Sequence, residues 1–182
     1  MKKRILILVI VFFYTTGQGL LAVKLSEKTI RQIEKTAREC FKQEQLRFEL
    51  IPLEAHEPES LAWDFDKNSL YRVFSDSLLL GYLIIDQAMG RYDPFDFLVI
   101  YQHDLKILKV EILKYRSAHG GEIASNKWLQ NFEGGSGNDQ QSFLEIDALS
   151  GASFSSNGLK EAVARIDKSM WSLFGRNESE LR

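Results

Sequence analysis

The chain has one cysteine, Cys40, in 182 residues. A lone thiol excludes an intramolecular disulfide, and its place in a helical pattern makes it a small apolar packing residue. The three histidines, His56, His103 and His119, are scattered, and no His, Cys or Asp spacing resembles a metal site. Asp86, Asp93 and Asp96 lack the spacing of a calcium loop and read as a solvated turn. No Ser-His-Asp set can be assembled, and the Asn177-Glu-Ser sequon reads as chance. Basic clusters are missing too. The formal net charge is −2, and it falls to −5 without residues 1–22, which hold three cations and no anion. A nucleic-acid partner, which needs clustered Lys and Arg, is thereby excluded. No repeat of fixed period occurs, and only the "GGSGND" at 134–139 resembles low complexity.

The composition that remains, 45% apolar and 26% charged, is that of a globular protein long enough for a real core. At the start, Lys2, Lys3 and Arg4 precede the apolar block "ILILVIVFFY", followed by "TTGQGLLA". A basic start, an apolar middle and small residues beyond it are the layout of an export signal. The unbroken apolar run is short of the ~20 residues of a comfortable membrane span. Residues 1–22 therefore read as a signal peptide or N-terminal anchor, and 23–182 as one domain. The expected location is outside the cytoplasm, periplasmic or anchored to the outer side of the cytoplasmic membrane.

The spacing of Ile30, Ile33, Ala37, Cys40 and Phe41 predicts an amphipathic helix over 26–45, with Ser26 as its N-cap. "LRFELIPL" predicts a short strand ended by Pro52. Between 69 and 115 the segments are strand-length, rich in branched and aromatic residues, and separated by Gly, Pro and Asp turn signals. "QHDLK" reads as a tight hairpin connection, so this part is an antiparallel meander, with "LKILKVEIL" as a half-buried strand. "ASNKWLQNF" predicts a short helix and "SFLEI" a further strand. Leu159, Val163, Ile166 and Met170 line one face of a last helix. The expected class is α+β, an antiparallel sheet flanked by helices.

The segment "DALSGASFSSNGLKEAV" passes from a Ser/Gly run into that last helix. Gly151 permits backbone shapes closed to other residues, and the free amides of a helix start attract an anion, most often phosphate. The Gly-Lys-Ser/Thr ending of a Walker loop is absent. Two readings stand on these grounds: a serine-rich helix start with a redundant cap, or a phosphate site.

The run "DALSGASFSS" resembles the flavinylation motif of the FMN-binding domain family, whose members include the C subunit of sodium-translocating NADH:quinone reductase and the G subunit of the Rnf complex. Asp147, Ser150, Gly151, Ala152 and Ser153 match the motif in order, and the resemblance puts the acceptor hydroxyl at Ser155, with Ser156 as a competing neighbour. Upstream, "ILKVEILKYRSAHGGEIASNKWLQNFEG" is similar to the family's strand, Arg-containing turn, Gly-Glu segment and short helix. The likeness spans about 78–170. Ser stands in place of the commoner Thr at 153 and 155, and the chain looks most like the small stand-alone members.

What the resemblance implies is an electron carrier without catalytic activity of its own, holding FMN covalently by a phosphoester to Ser155. A separate flavin transferase would take FMN from FAD and release AMP. Asp147 would be read by that transferase, or act only as a turn-closing residue. Arg116, Gly120, Gly121 and Glu122 would approach the ring, or Gly120 and Gly121 would form a plain turn. Phe154, inside the motif, is the better candidate to stack on the ring; Trp128 fits either the ring or the core. Redox partner proteins, membrane-bound ones included, would complete the relay. The alternative is a non-covalent FMN-binding or assembly module of the same fold.

Overall fold

A computed structural model describes residues 25–52, 69–136 and 140–175. The proposed leader, residues 1–22, lies outside them. Helix α1 (Glu27–Phe41) begins where expected, with Ser26 Oγ accepting from the Thr29 amide at 3.2 Å. It stops at Lys42, whose φ of 53° breaks the helical path, four residues short of the apolar pattern's predicted reach to 45.

Five strands follow: β1 (Arg47–Leu50), β2 (Ser69–Ser75), β3 (Leu78–Met89), β4 (Pro94–Gln102) and β5 (Ile107–Lys114). They pair antiparallel in chain order, the expected meander. Successive side chains of a strand point to opposite faces, so a sheet covered on both sides needs apolar residues at every position. Strand β4 shows this: Phe95 to Tyr101 are all buried. Its Phe97, Val99 and Tyr101 face one cluster, and Leu98 and Ile100 face another built with Ile33 and Ala37 of α1.

Strand β5 is half-buried as expected, but its faces do not alternate strictly. Its register against β4 slips twice, at Asp96/Phe97 and at Ile100/Tyr101, leaving Leu108 and Leu113 without a cross-strand partner. Each bulge carries an extra leucine to the α1 side, while Ile107, Val110 and Ile112 stay on the opposite face. Both faces are thus covered.

The chain then makes a 3₁₀ turn (Gly121–Ala124), the short helix α2 (Asn126–Leu129) and a second 3₁₀ turn (Gln130–Phe132). "SFLEI", read as a strand, is helix α3 (Gln140–Glu145) instead. Phe143 and Ile146 lie three apart, a helical spacing, and Phe143 stacks on Phe132 with ring centroids 6.0 Å apart. Lys160 closes the end of α3 by donating to the carbonyls of Leu144 (3.1 Å) and Ile146 (2.9 Å). Helix α4 (Ser153–Phe174) packs along β3 on the sheet face opposite α1, with Leu159, Val163, Ile166 and Met170 all buried as the periodicity predicts. The class is α+β. Among the described residues no helix is long and apolar enough to cross a membrane.

Candidate functional site

The start of α4 sits against the turn between β3 and β4 and the turn after β5. Gly151 takes a φ of 84°, a left-handed conformation that a side chain would strain. Ala152 is the N-cap and supplies no side-chain hydrogen bond, and the first turn holds no acidic residue. The amides of Ser153, Phe154 and Ser155 therefore lack both an intrahelical partner and a capping oxygen. The redundant-cap reading fails: no serine of the run caps this helix.

Each hydroxyl has a distinct fate. Ser156 is fully buried; its Oγ donates to the Ala152 carbonyl (2.9 Å) and accepts from the Leu149 amide (3.1 Å), tying the loop to the helix. Ser155, the expected acceptor, is 2% exposed, with its Oγ 2.8 Å from the Tyr115 hydroxyl. Tyr115 has one proton and donates it to the His119 carbonyl at 2.8 Å. The hydrogen between Ser155 and Tyr115 must then come from Ser155. Ser153 is exposed, with only a long contact of 3.4 Å to the Leu149 carbonyl. Ser150 is exposed in the loop before the helix. The accessible first-turn hydroxyl is Ser153, two positions before the residue expected from the motif.

Glycines let three chain segments close on this point. A Cβ on Gly120, at φ 88°, would lie 2.5 Å from the Tyr115 hydroxyl and 3.5 Å from Ser155 Oγ. A Cβ on Gly90 would stand 2.8 Å from the Asp93 carbonyl and 3.3 Å from the same Ser155 oxygen. At Gly158 a Cβ would collide with the backbone carbonyl of Met89, so the end of β3 is pressed onto the first turns of α4.

Other expected residues divide between the site and the scaffold. Glu122 is brought to the motif loop, its carboxyl 3.9 Å from where a Gly151 Cβ would be. Gly121 is exposed with nothing near its Cβ position, leaving open space beside the loop. Asp147 is exposed; its carbonyl accepts from Trp128 Nε1 at 2.7 Å. That bond and its 6% exposure commit Trp128 to the core, whereas Phe154 is 64% exposed beside Ser153. Arg116 points away from the loop, with Nη1 on the Pro94 carbonyl (3.0 Å) and Nη2 on Asp96 (2.6 Å). Asp96, 7% exposed, also accepts from Gln87 at 2.7 Å, so Arg116 pins the turn to β4 and β3.

Sequence reasoning missed Tyr115 and the β3–β4 turn of Gly90, Arg91, Tyr92 and Asp93. The only hint was an arginine and a tyrosine beside a glycine in a segment otherwise fit for a solvated turn. Two grooves lie elsewhere. One of ≈ 230 Å³ runs between α1 and β5 near Glu111, and one of ≈ 330 Å³ lies near Cys40 and Leu78.

Residues 90–166 match the family model described as FMN-binding domain. The matched span starts at Gly90 and ends inside α4, and it holds the motif loop, Tyr115, Gly120 and Glu122. Among solved structures, the crystal structure of Shewanella oneidensis NqrC is similar, with a TM-score of 0.53 and 14% identity. The alignment covers 81% of this chain and 93% of that one, a likeness of fold. No curated protein matches the chain.

Proposed function

We propose that this chain, which carries an FMN-binding domain over residues 90–166, is an exported electron carrier holding FMN through a phosphoester at the start of α4. The acceptor is the Ser153 hydroxyl. One observation carries this choice: in the first turn of α4, Ser153 is exposed, while Ser155 and Ser156 are 2% and 0% exposed and held in hydrogen bonds.

The chemistry asks for an accessible hydroxyl and a place for phosphate. In the modification, the Ser153 oxygen bonds to the FMN phosphorus of FAD, the diphosphate bond breaks, and AMP leaves; the hydroxyl proton passes to a base of the transferase. The uncapped amides of Ser153, Phe154 and Ser155, with the helix dipole behind them, then face the singly charged phosphodiester. Gly151 keeps side-chain bulk off the approach, and Ser156 holds the loop in shape. Bound FMN supplies the redox chemistry, and the chain supplies placement and electrostatics.

Dilution gives a reason for a covalent bond. Outside the cytoplasm a dissociable flavin would be lost. A tether keeps its effective concentration high with no added contact. The basic-then-apolar leader of residues 1–22 supports export. The partners are a flavin transferase and redox proteins able to meet an exposed ring.

Co-expression of the full chain with a flavin transferase tests the assignment. Intact mass should rise by one FMN phosphoester, and the denatured band should fluoresce. Ser153→Ala should abolish both, while Ser155→Ala and Ser156→Ala should keep the label. Loss of label only in Ser155→Ala would move the acceptor to the covered hydroxyl. Yellow native protein with a dark denatured band would favour the non-covalent module instead.

A further inference from the structure

We propose that Arg91, Tyr92 and Phe154 form the seat of the isoalloxazine ring, with the Arg91 guanidinium placed to stabilise the ring's negative charge on reduction. This deepens the reading above and rests on it. Six large apolar side chains are conspicuously exposed among the described residues, and three of them, Met89 (59%), Tyr92 (65%) and Phe154 (64%), gather beside the α4 start. Single exposed apolar residues are ordinary, but a rigid cluster next to an anchoring point is a recognition surface.

The cluster is rigid because of the contacts beneath it. Gly158 presses on the Met89 carbonyl and Gly90 on Ser155, so the β3–β4 turn cannot drift from the helix. Phe154 directly follows Ser153, and so lies within reach of the short ribityl chain that joins phosphate to ring. The ring is flat and apolar on both faces, and aromatic side chains are its natural neighbours.

Arg91 gives the seat its chemistry. Its guanidinium carbon lies 5.3 Å from the Tyr92 ring centre and 5.5 Å from that of Phe154. Both distances fall within cation–π range. By contrast, Arg116 and Arg165 are paired with Asp96 and Asp86 at 2.6 and 3.0 Å. Arg91 has no carboxylate partner among the described residues, so its charge is available to a ligand. Two-electron reduction of the ring at neutral pH takes up one proton and leaves one negative charge. A nearby guanidinium stabilises that charge; the oxidised, neutral ring gains less.

The test uses the full chain loaded by co-expression with the transferase, with intact mass confirming the label in each variant. The variants are Arg91→Gln, Tyr92→Ala and Phe154→Ala, with Leu78→Ala as a distant exposed control. Native flavin emission, quenched by stacking on an aromatic ring, should rise several-fold in Tyr92→Ala and Phe154→Ala. In a dithionite titration Arg91→Gln should shift the oxidised-to-reduced ratio about tenfold toward oxidised at fixed potential, or ~30 mV for a two-electron couple. Leu78→Ala should match wild type in both. Labelled variants with wild-type emission and potential overturn the seat and leave the phosphoester standing. If no label forms on wild type, the phosphoester fails, and the same variants are titrated with free FMN. Several-fold weaker binding by the variants then supports the seat; equal binding, or none by any protein, overturns it.

Discussion

The described residues form two long helices, and they start in opposite ways. Helix α1 is capped by Ser26 and carries Glu27 in its first turn, so its free amides and dipole are answered from within. Helix α4, with several serines at hand, has Ala152 as its cap and no acid in its first turn. A helix start left bare beside hydroxyls has free amides to offer a ligand. Their buried flanks differ in the same sense. On α1, Thr36 donates to Glu111 at 2.6 Å, whereas on α4 the buried Asp167 carboxyl has only the equally buried Tyr101 hydroxyl beside it, with no well-formed hydrogen bond between them. Thus α1 is fully answered within the fold, and α4 holds open interactions at its start and along its buried face.

The contrast can be broken by substitution, most strongly at the contact that seats α4. α1 meets the sheet through Ala37, while α4 needs a bare Gly158 against the Met89 carbonyl. In an ordinary helix Gly→Ala stabilises by about 1 kcal/mol. Gly158→Ala should instead cost about 3 kcal/mol in urea unfolding, because the collision is with backbone. A stabilised variant would mean that α4 does not press on β3.

Asp167 sharpens the comparison through pH. Burial pushes its carboxyl from the ordinary 3.8 to about 7, with the neighbouring Tyr101 hydroxyl opposing the rise. Since the folded value lies above the unfolded one, the group's stabilising contribution is complete below about 3.8 and is lost as pH rises through about 7. Wild-type stability should therefore decline over that window, and Asp167→Asn should flatten the decline. The variant's advantage should be on the order of 2 kcal/mol at pH 8 and vanish at pH 4. Parallel pH profiles for the two proteins would count against this placement of the carboxyl. The smallest effect is at the answered helix start. Ser26→Ala should cost about 1 kcal/mol, a fall in Tm of ~2–4 °C by calorimetry, with FMN loading unchanged.

Much of the fold was legible because the covering helices impose their periods on the sequence. Ile33 and Ala37 mark one buried stripe, and Leu159, Val163, Ile166 and Met170 the other. Continuous apolar runs marked the strands. The helix at 140–145 was misread because six residues carry too little periodicity, and its Phe143 is held by Phe132 from another element. At the site, the motif was visible as a local string, with Gly151, Phe154 and the turn at Glu122 in place. The choice among its hydroxyls was not visible, since a string of serines carries no record of which one meets Tyr115.

By itself, then, the sequence determined the meander, the faces of both long helices and the FMN-binding motif, since each is written in neighbouring residues. Tertiary structure alone decided which serine is free, that Arg116 is spent on Asp96, and that Arg91 stands beside Phe154. Those outcomes depend on approach between segments more than 60 residues apart. Close packing, not local pattern, sets which polar group finds a partner and which is left for a ligand.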